Sequence, residues 1–192
     1  MDLPAPGFYG KLPSCGDFVS RRLPIWMAAP WDEWLAEFTL AVQEQAGGLW
    51  PQVWLTAPLW HFTIGGAVWD GTTAQPAAAG ILVASMDRVG RMFPFTIVAP
   101  SCGEPILDWS AAAEQLALDA LEEDANLDRL DAELTQLGAP AAPSALDPHC
   151  SLWWCHGSER VPQTRFELAG LPDPGTAVSM VLGAGSEHNQ EA

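Results

Sequence analysis

The 192-residue chain carries 24 Asp and Glu against 8 Lys and Arg, a formal net charge of −16. A phosphate backbone is a poor partner for so acidic a chain, and nucleic acid is set aside. With 48% hydrophobic residues, 17 Gly and 17 Pro, the composition is that of one globular domain and not of a disordered or two-domain chain.

The start of the chain, Met1-Asp2-Leu3-Pro4-Ala5-Pro6, shows no basic residue ahead of an apolar run, so no secretory signal is expected. The longest apolar stretch, 77–84, is under half a membrane span, and membrane insertion is not expected either. Four cysteines (Cys15, Cys102, Cys150 and Cys155) suit reduced thiols, which together with the missing signal predicts a cytoplasmic protein.

Taken in chain order, 7–12 reads as a short strand and 13–17 as a turn, with a second extended piece from Phe18. Pro30 is expected to open a helix in which Trp31, Leu35, Phe38 and Val42 form one apolar stripe, ended by Gly47-Gly48. A short element over 50–55 and a strand over 59–64 follow. The runs 79–86 and 92–99 read as two buried strands of a hairpin whose loop is Asp87-Arg88-Val89-Gly90-Arg91. Pro94 lacks a ladder donor, so its strand either lies on an edge or begins after it.

Beyond Trp109 the apolar period becomes helical. Ala113, Leu116, Ala117, Ala120 and Leu121 share one stripe, and Leu127, Leu130, Leu134 and Leu137 share another, closed by Gly138 and Pro140. A Pro- and Ala-rich loop over 139–148, strands over 151–155 and 165–168, a short helix over 176–182 and a loose tail over 183–192 complete the chain. Adjacent hairpins with helices inserted in two blocks predict a mixed α/β fold: one compact domain with a largely antiparallel sheet. The core is expected over 7–138, and the C-terminal strands and short helix over 149–182.

Several residue groups could carry chemistry. Ten tryptophans could line a groove, but aromatic residues at helical spacing are expected mainly in the core. His149-Cys150 and Cys155-His156 bracket four residues, yet a zinc knuckle needs a second paired unit that the sequence lacks, so no metal or cofactor site is expected. Ser14, Asp17 and His61 are residue types of a nucleophilic triad, although no nucleophile elbow surrounds Ser14. The bland alternative has Ser14 in the turn and Asp17 bonding nearby amides.

Basic residues are scarce: Lys11, Arg21, Arg22, Arg88 and Arg91 precede a segment, 104–133, with ten acidic residues and the single cation Arg129. The acidic helices are read first as a solvated face and second as a docking surface. Arg88 and Arg91, on the hairpin tip, either grip an external carboxylate or phosphate or pair with Asp87 or Asp17 to hold two loops together.

The motifs Gly7-Phe8-Tyr9-Gly10-Lys11-Leu12-Pro13-Ser14 and Gly16-Asp17-Phe18-Val19 resemble the opening of the TagF/ImpM family of type VI secretion-associated proteins. The resemblance continues through Pro30-Trp31-Asp32-Glu33-Trp34-Leu35 and Ala57-Pro58-Leu59-Trp60. It includes Ser85, Asp87-Arg88-Val89-Gly90-Arg91 and Phe93-Pro94, and ends with Ser151-Leu152-Trp153-Trp154 and Gly170-Leu171-Pro172. Cys15 departs from the pattern, which has a basic residue there.

The resemblance implies a TagF-like domain over 1–182. It also implies a non-enzymatic, cytoplasmic, post-translational repressor of secretion-system assembly that sequesters the forkhead-associated scaffold protein Fha. A functional link to a Thr kinase and a PP2C-type phosphatase, the latter on a separate chain, comes with it. The polar motif residues Lys11, Ser14, Asp17, Ser85, Asp87, Arg88 and Arg91 are expected to meet as a partner- or ligand-binding patch. The competing expectation is a small-ligand sensor or hydrolase in a Ser14/Asp17/His61 cleft.

Overall fold

The computed structural model describes residues 4–101, 107–140 and 146–184. Much of the expected loop 139–148 and of the tail 183–192 lies outside them. Seven strands form one sheet: β1 (Gly7–Gly10), β2 (Val19–Arg21), β3 (Trp60–Ile64), β4 (Ala77–Val83), β5 (Phe95–Ser101), β6 (Cys150–Cys155) and β7 (Thr164–Ala169). The helices are α1 (Ile25–Ala46), α2 (Trp50–Leu55), α3 (Leu107–Asp119), α4 (Leu127–Leu137) and α5 (Pro174–Leu182).

The strand order is β2-β1-β5-β4-β3-β6-β7. Every neighbouring pair is antiparallel, so the predicted mixed α/β fold with its antiparallel sheet is what forms.

Alternation along the strands gives the sheet two apolar faces. On one, Trp60, Phe62, Ile64, Leu82, Val98 and Trp153 pack against Trp31, Leu35, Phe38 and Val42 of α1, Trp54 of α2, and Met180 of α5. On the other, Phe8, Ile81, Val83, Phe95, Ile97 and Ala99 meet Trp109, Ala113 and Ala117 of α3 and Leu130 and Leu134 of α4. The tryptophans are mainly core, as expected: Trp31, Trp34, Trp54, Trp60, Trp109 and Trp153 are buried, and the other four are half-buried. The buried indoles find acceptors, such as Thr96 Oγ1 for Trp31 and the Ser85 carbonyl for Trp54.

Two expectations on the first helix differ in outcome. The helix starts at Ile25, not at Pro30, with the Pro24 carbonyl accepting from the amides of Met27 and Ala28. Pro30 therefore lies inside α1. Tertiary packing outweighs the proline there, because Met27 is fully buried and Trp26 packs on Trp69 at 5.7 Å between ring centroids. The end is as expected: Gly47, at φ 51°, takes the left-handed turn that closes α1.

The hairpin is also resolved in favour of one alternative. β5 is internal and begins at Phe95, directly after Pro94, while an isolated pairing of Met86 with Met92 extends the ladder to the loop.

Candidate functional site

The turn after β1 and the tip of the β4–β5 hairpin lie against each other. Arg88 donates its amide to the Cys15 carbonyl at 2.8 Å, and Arg91 Nη2 donates to the Gly16 carbonyl at 2.7 Å. Below this contact, Ser85 Oγ donates to the Lys11 carbonyl at 2.7 Å and Lys11 Nζ lies 3.2 Å from Asp87 Oδ2. The two loops carrying the polar motif therefore meet.

Asp87 organises the junction. It is buried, and it accepts from the amides of Val89 and Arg91 and from Arg91 Nε at 2.6 Å, besides facing Lys11. Burial works to raise its pKa, but the bonds from the Arg91 amide and side chain, from Lys11 and from the Val89 amide win, and hold the carboxyl well below the usual carboxylate range. Lys11 is covered by Phe18, whose ring centroid lies 5.0 Å from Nζ. Phe18 in turn stacks on Tyr9, whose phenol donates to Asp32.

The seven expected patch residues thus separate into two groups. Lys11, Ser85 and Asp87 are buried and hold the loops, whereas Asp17, Arg88 and Arg91 are exposed and Ser14 is half-buried. Of the two roles open to the hairpin arginines, Arg91 takes the internal one through Asp87 and Gly16. Arg88 makes no ion pair among the described residues. Its guanidinium lies over Gly16, where an added Cβ would come within 3.1 Å of Nη2.

Ser14 and Asp17 sit apart from His61 in their contacts. Ser14 Oγ faces Cys15 Sγ at 3.7 Å and Asp17 Oδ1 accepts the amide of Phe18 at 2.8 Å, the local role expected of a turn. His61, on β3, instead stacks on Trp154 and faces Glu114 and His156. No hydrogen bond or ion pair joins Ser14 or Asp17 to His61 among the described residues, and these three side chains do not assemble a triad.

The bracketing pairs around β6 do not converge either. Cys150 and Cys155 mark opposite ends of a six-residue strand, roughly 16 Å apart at about 3.3 Å per residue. What the sequence reading missed is where His156 goes. Because His61 pairs with Trp154 across the β3–β6 ladder, His156, two residues beyond Trp154, lies diagonally over His61 on the α3 face. Glu114 of α3 then approaches both imidazoles, at 2.8 Å from His61 Nε2 and 3.8 Å from His156 Nε2. Burial pushes the His61 pKa down, against the pull of the Glu114 charge. No local spacing in the sequence announces a cluster drawn from three separate elements.

A seven-stranded antiparallel sheet is covered by helices on both faces and carries a polar junction of two loops at one end of β1 and β5. Residues 7–137 match the family described as TagF N-terminal domain, Type VI secretion system-associated. The chain belongs to this TagF family. The crystal structure of PA0076 from Pseudomonas aeruginosa PAO1 is similar over 98% of this chain and 99% of that one, at 31% sequence identity and a TM-score of 0.83. No curated protein sequence is significantly similar to the chain. Among the described residues, no helix is long and apolar enough to cross a membrane.

Proposed function

We propose that this chain is a cytoplasmic repressor of type VI secretion that binds the forkhead-associated scaffold protein, Fha, and withholds it from assembly. Membership of the TagF family supports the setting, and Arg88 supports the contact. Its exposed guanidinium has no ion-pair partner among the described residues, and it rides on a hairpin tip pinned from beneath by Asp87. A planar guanidinium held in this way suits a carboxylate or phosphate on the scaffold, where two parallel hydrogen bonds give orientation as well as attraction. Sequestration needs only that the complex exclude the scaffold's assembly-competent contacts. The kinase and phosphatase of the circuit make scaffold phosphorylation the switch to examine.

The test is a calorimetric titration of the chain into the scaffold, phosphorylated and unphosphorylated. Saturable binding that Arg88→Glu abolishes supports the reading, and the difference between the two titrations measures its dependence on phosphate. No binding to either form removes the scaffold as the direct partner.

A further inference from the structure

On the sheet face beneath α3, two imidazoles converge on one carboxylate, and the ligand atoms of His61, Glu114 and His156 all lie within 4.8 Å of one another. We propose that these three residues bind a divalent transition-metal ion, zinc by the character of the ligand set, at a place separate from the loop junction.

The His61 side chain is buried; its Nδ1 has no hydrogen-bond partner among the described residues, and its Nε2 faces the Glu114 carboxylate. Glu114 Oε2 lies 2.8 Å from Nε2, close enough for the imidazole and the carboxylate to share one positive charge between them. Buried polar groups are almost always satisfied, and an imidazole lone pair set against a carboxylate calls for a positive partner that both can share. A cation between Nε2 and Oε2 is such a partner.

Around a tetrahedral ion with ligands at about 2.0–2.1 Å, ligand atoms stand roughly 3.3–3.5 Å apart. The separations from Glu114 Oε2, 2.8 Å to His61 and 3.8 Å to His156, straddle that value. The two partners that must adjust are the freer ones, since the side chain of Glu114 is 28% exposed and that of His156 is 71% exposed. His61 is fixed, its ring stacked on Trp154 at 5.1 Å and 9°. This stacking orients the imidazole where metal-bound histidines usually rely on a second hydrogen bond.

Two imidazoles and one carboxylate form the ligand set of open zinc and non-haem Fe²⁺ sites, of which zinc needs no redox partner, whereas Mg²⁺ and Ca²⁺ favour oxygen ligands throughout. The exposed side at His156 gives the ion a path in and leaves the remaining coordination position to water.

The full chain, stripped with a chelator, is titrated with zinc chloride by calorimetry in excess Mg²⁺, which occupies the many surface carboxylates. The expected result is saturation at one ion per chain, with His156→Ala and Glu114→Gln each weakening zinc by at least about tenfold. Zinc raises the melting temperature of the parent chain and not of the variants. Co²⁺ in place of zinc gives the visible absorption of a four- or five-coordinate site. Since His61→Ala would open a cavity, the two partly exposed positions carry the test. Absence of saturable binding, loss of binding in Mg²⁺, or binding that both variants leave unchanged overturns the proposal.

Discussion

Lys11 Nζ lies 3.2 Å from Asp87 Oδ2, and neither side chain is more than 9% exposed. An ion pair this deep is costly to break on one side, because the partner left behind keeps its charge without compensation. Asp87→Asn is therefore expected to destabilise the chain by about 3–5 kcal/mol at neutral pH. The pH dependence follows from the depressed Asp87 pKa. Its contribution is complete above the unfolded carboxyl pKa, about 4, and is lost as the pH falls toward the folded value. Urea unfolding of both proteins from pH 7 down to pH 3 should show the gap constant at first and then shrinking below about pH 4. A gap independent of pH would mean that the charge on Asp87 is not what holds the junction.

Arg88 and Arg91 are three residues apart on one hairpin and should respond differently to charge reversal. Arg88→Glu touches no ion pair of the described residues, so its melting should stay within the range of ordinary surface substitutions, about 0.5 kcal/mol. Arg91→Glu removes the bonds to Asp87 and Gly16 and places a second carboxylate beside Asp87. Allowing for the exposure of Arg91, a loss of about 1–2 kcal/mol is expected. Thermal melting paired with scaffold titration separates the two: only Arg88→Glu should lose binding with its stability intact. Equal destabilisation by both would show that Arg88 also holds the loops.

The same junction shows how far the sequence was legible. A five-residue loop with a glycine between two apolar runs announces a hairpin, and β4 and β5 pair as it requires. The stripe Trp31, Leu35, Phe38 and Val42 announces the buried side of α1. These signals are local, set by side chains a few residues apart. The strand order is not local. Nothing in 150–155 says that β6 will pair with β3, and the cluster of His61, Glu114 and His156 exists only because it does. The start of α1 failed for another reason: Pro30 imitates a first-turn proline, and the burial of Met27 that carries the helix back to Ile25 depends on the rest of the fold.

Trp31 tests the packing of the larger core directly. It is fully buried against Trp34 and Phe62, with ring centroids at 4.9 and 5.2 Å, and its indole donates to Thr96 Oγ1 at 3.2 Å. Trp31→Ala should cost about 3–5 kcal/mol through lost burial and the cavity left behind. Trp31→Phe keeps most of the apolar contact and should cost markedly less. Guanidinium unfolding of the pair would measure the difference. Equal losses would assign the stability to the hydrogen bond with Thr96 and not to the volume of the ring.

Pro30 offers a prediction of the opposite sign. As the sixth residue of α1 it cannot donate to the carbonyl of Trp26, the acceptor one turn earlier. Alanine restores that donor, and the preference for Ala over Pro inside a helix is about 3 kcal/mol. Part of the gain is offset because proline also restricts the unfolded chain, by about 0.4–1 kcal/mol. Contacts made by the half-buried ring reduce it further. Pro30→Ala is accordingly expected to stabilise the chain by about 1–2 kcal/mol, read as a higher urea midpoint at an unchanged slope. If the variant is instead less stable, the pyrrolidine ring contributes more through packing than it withholds from the helix.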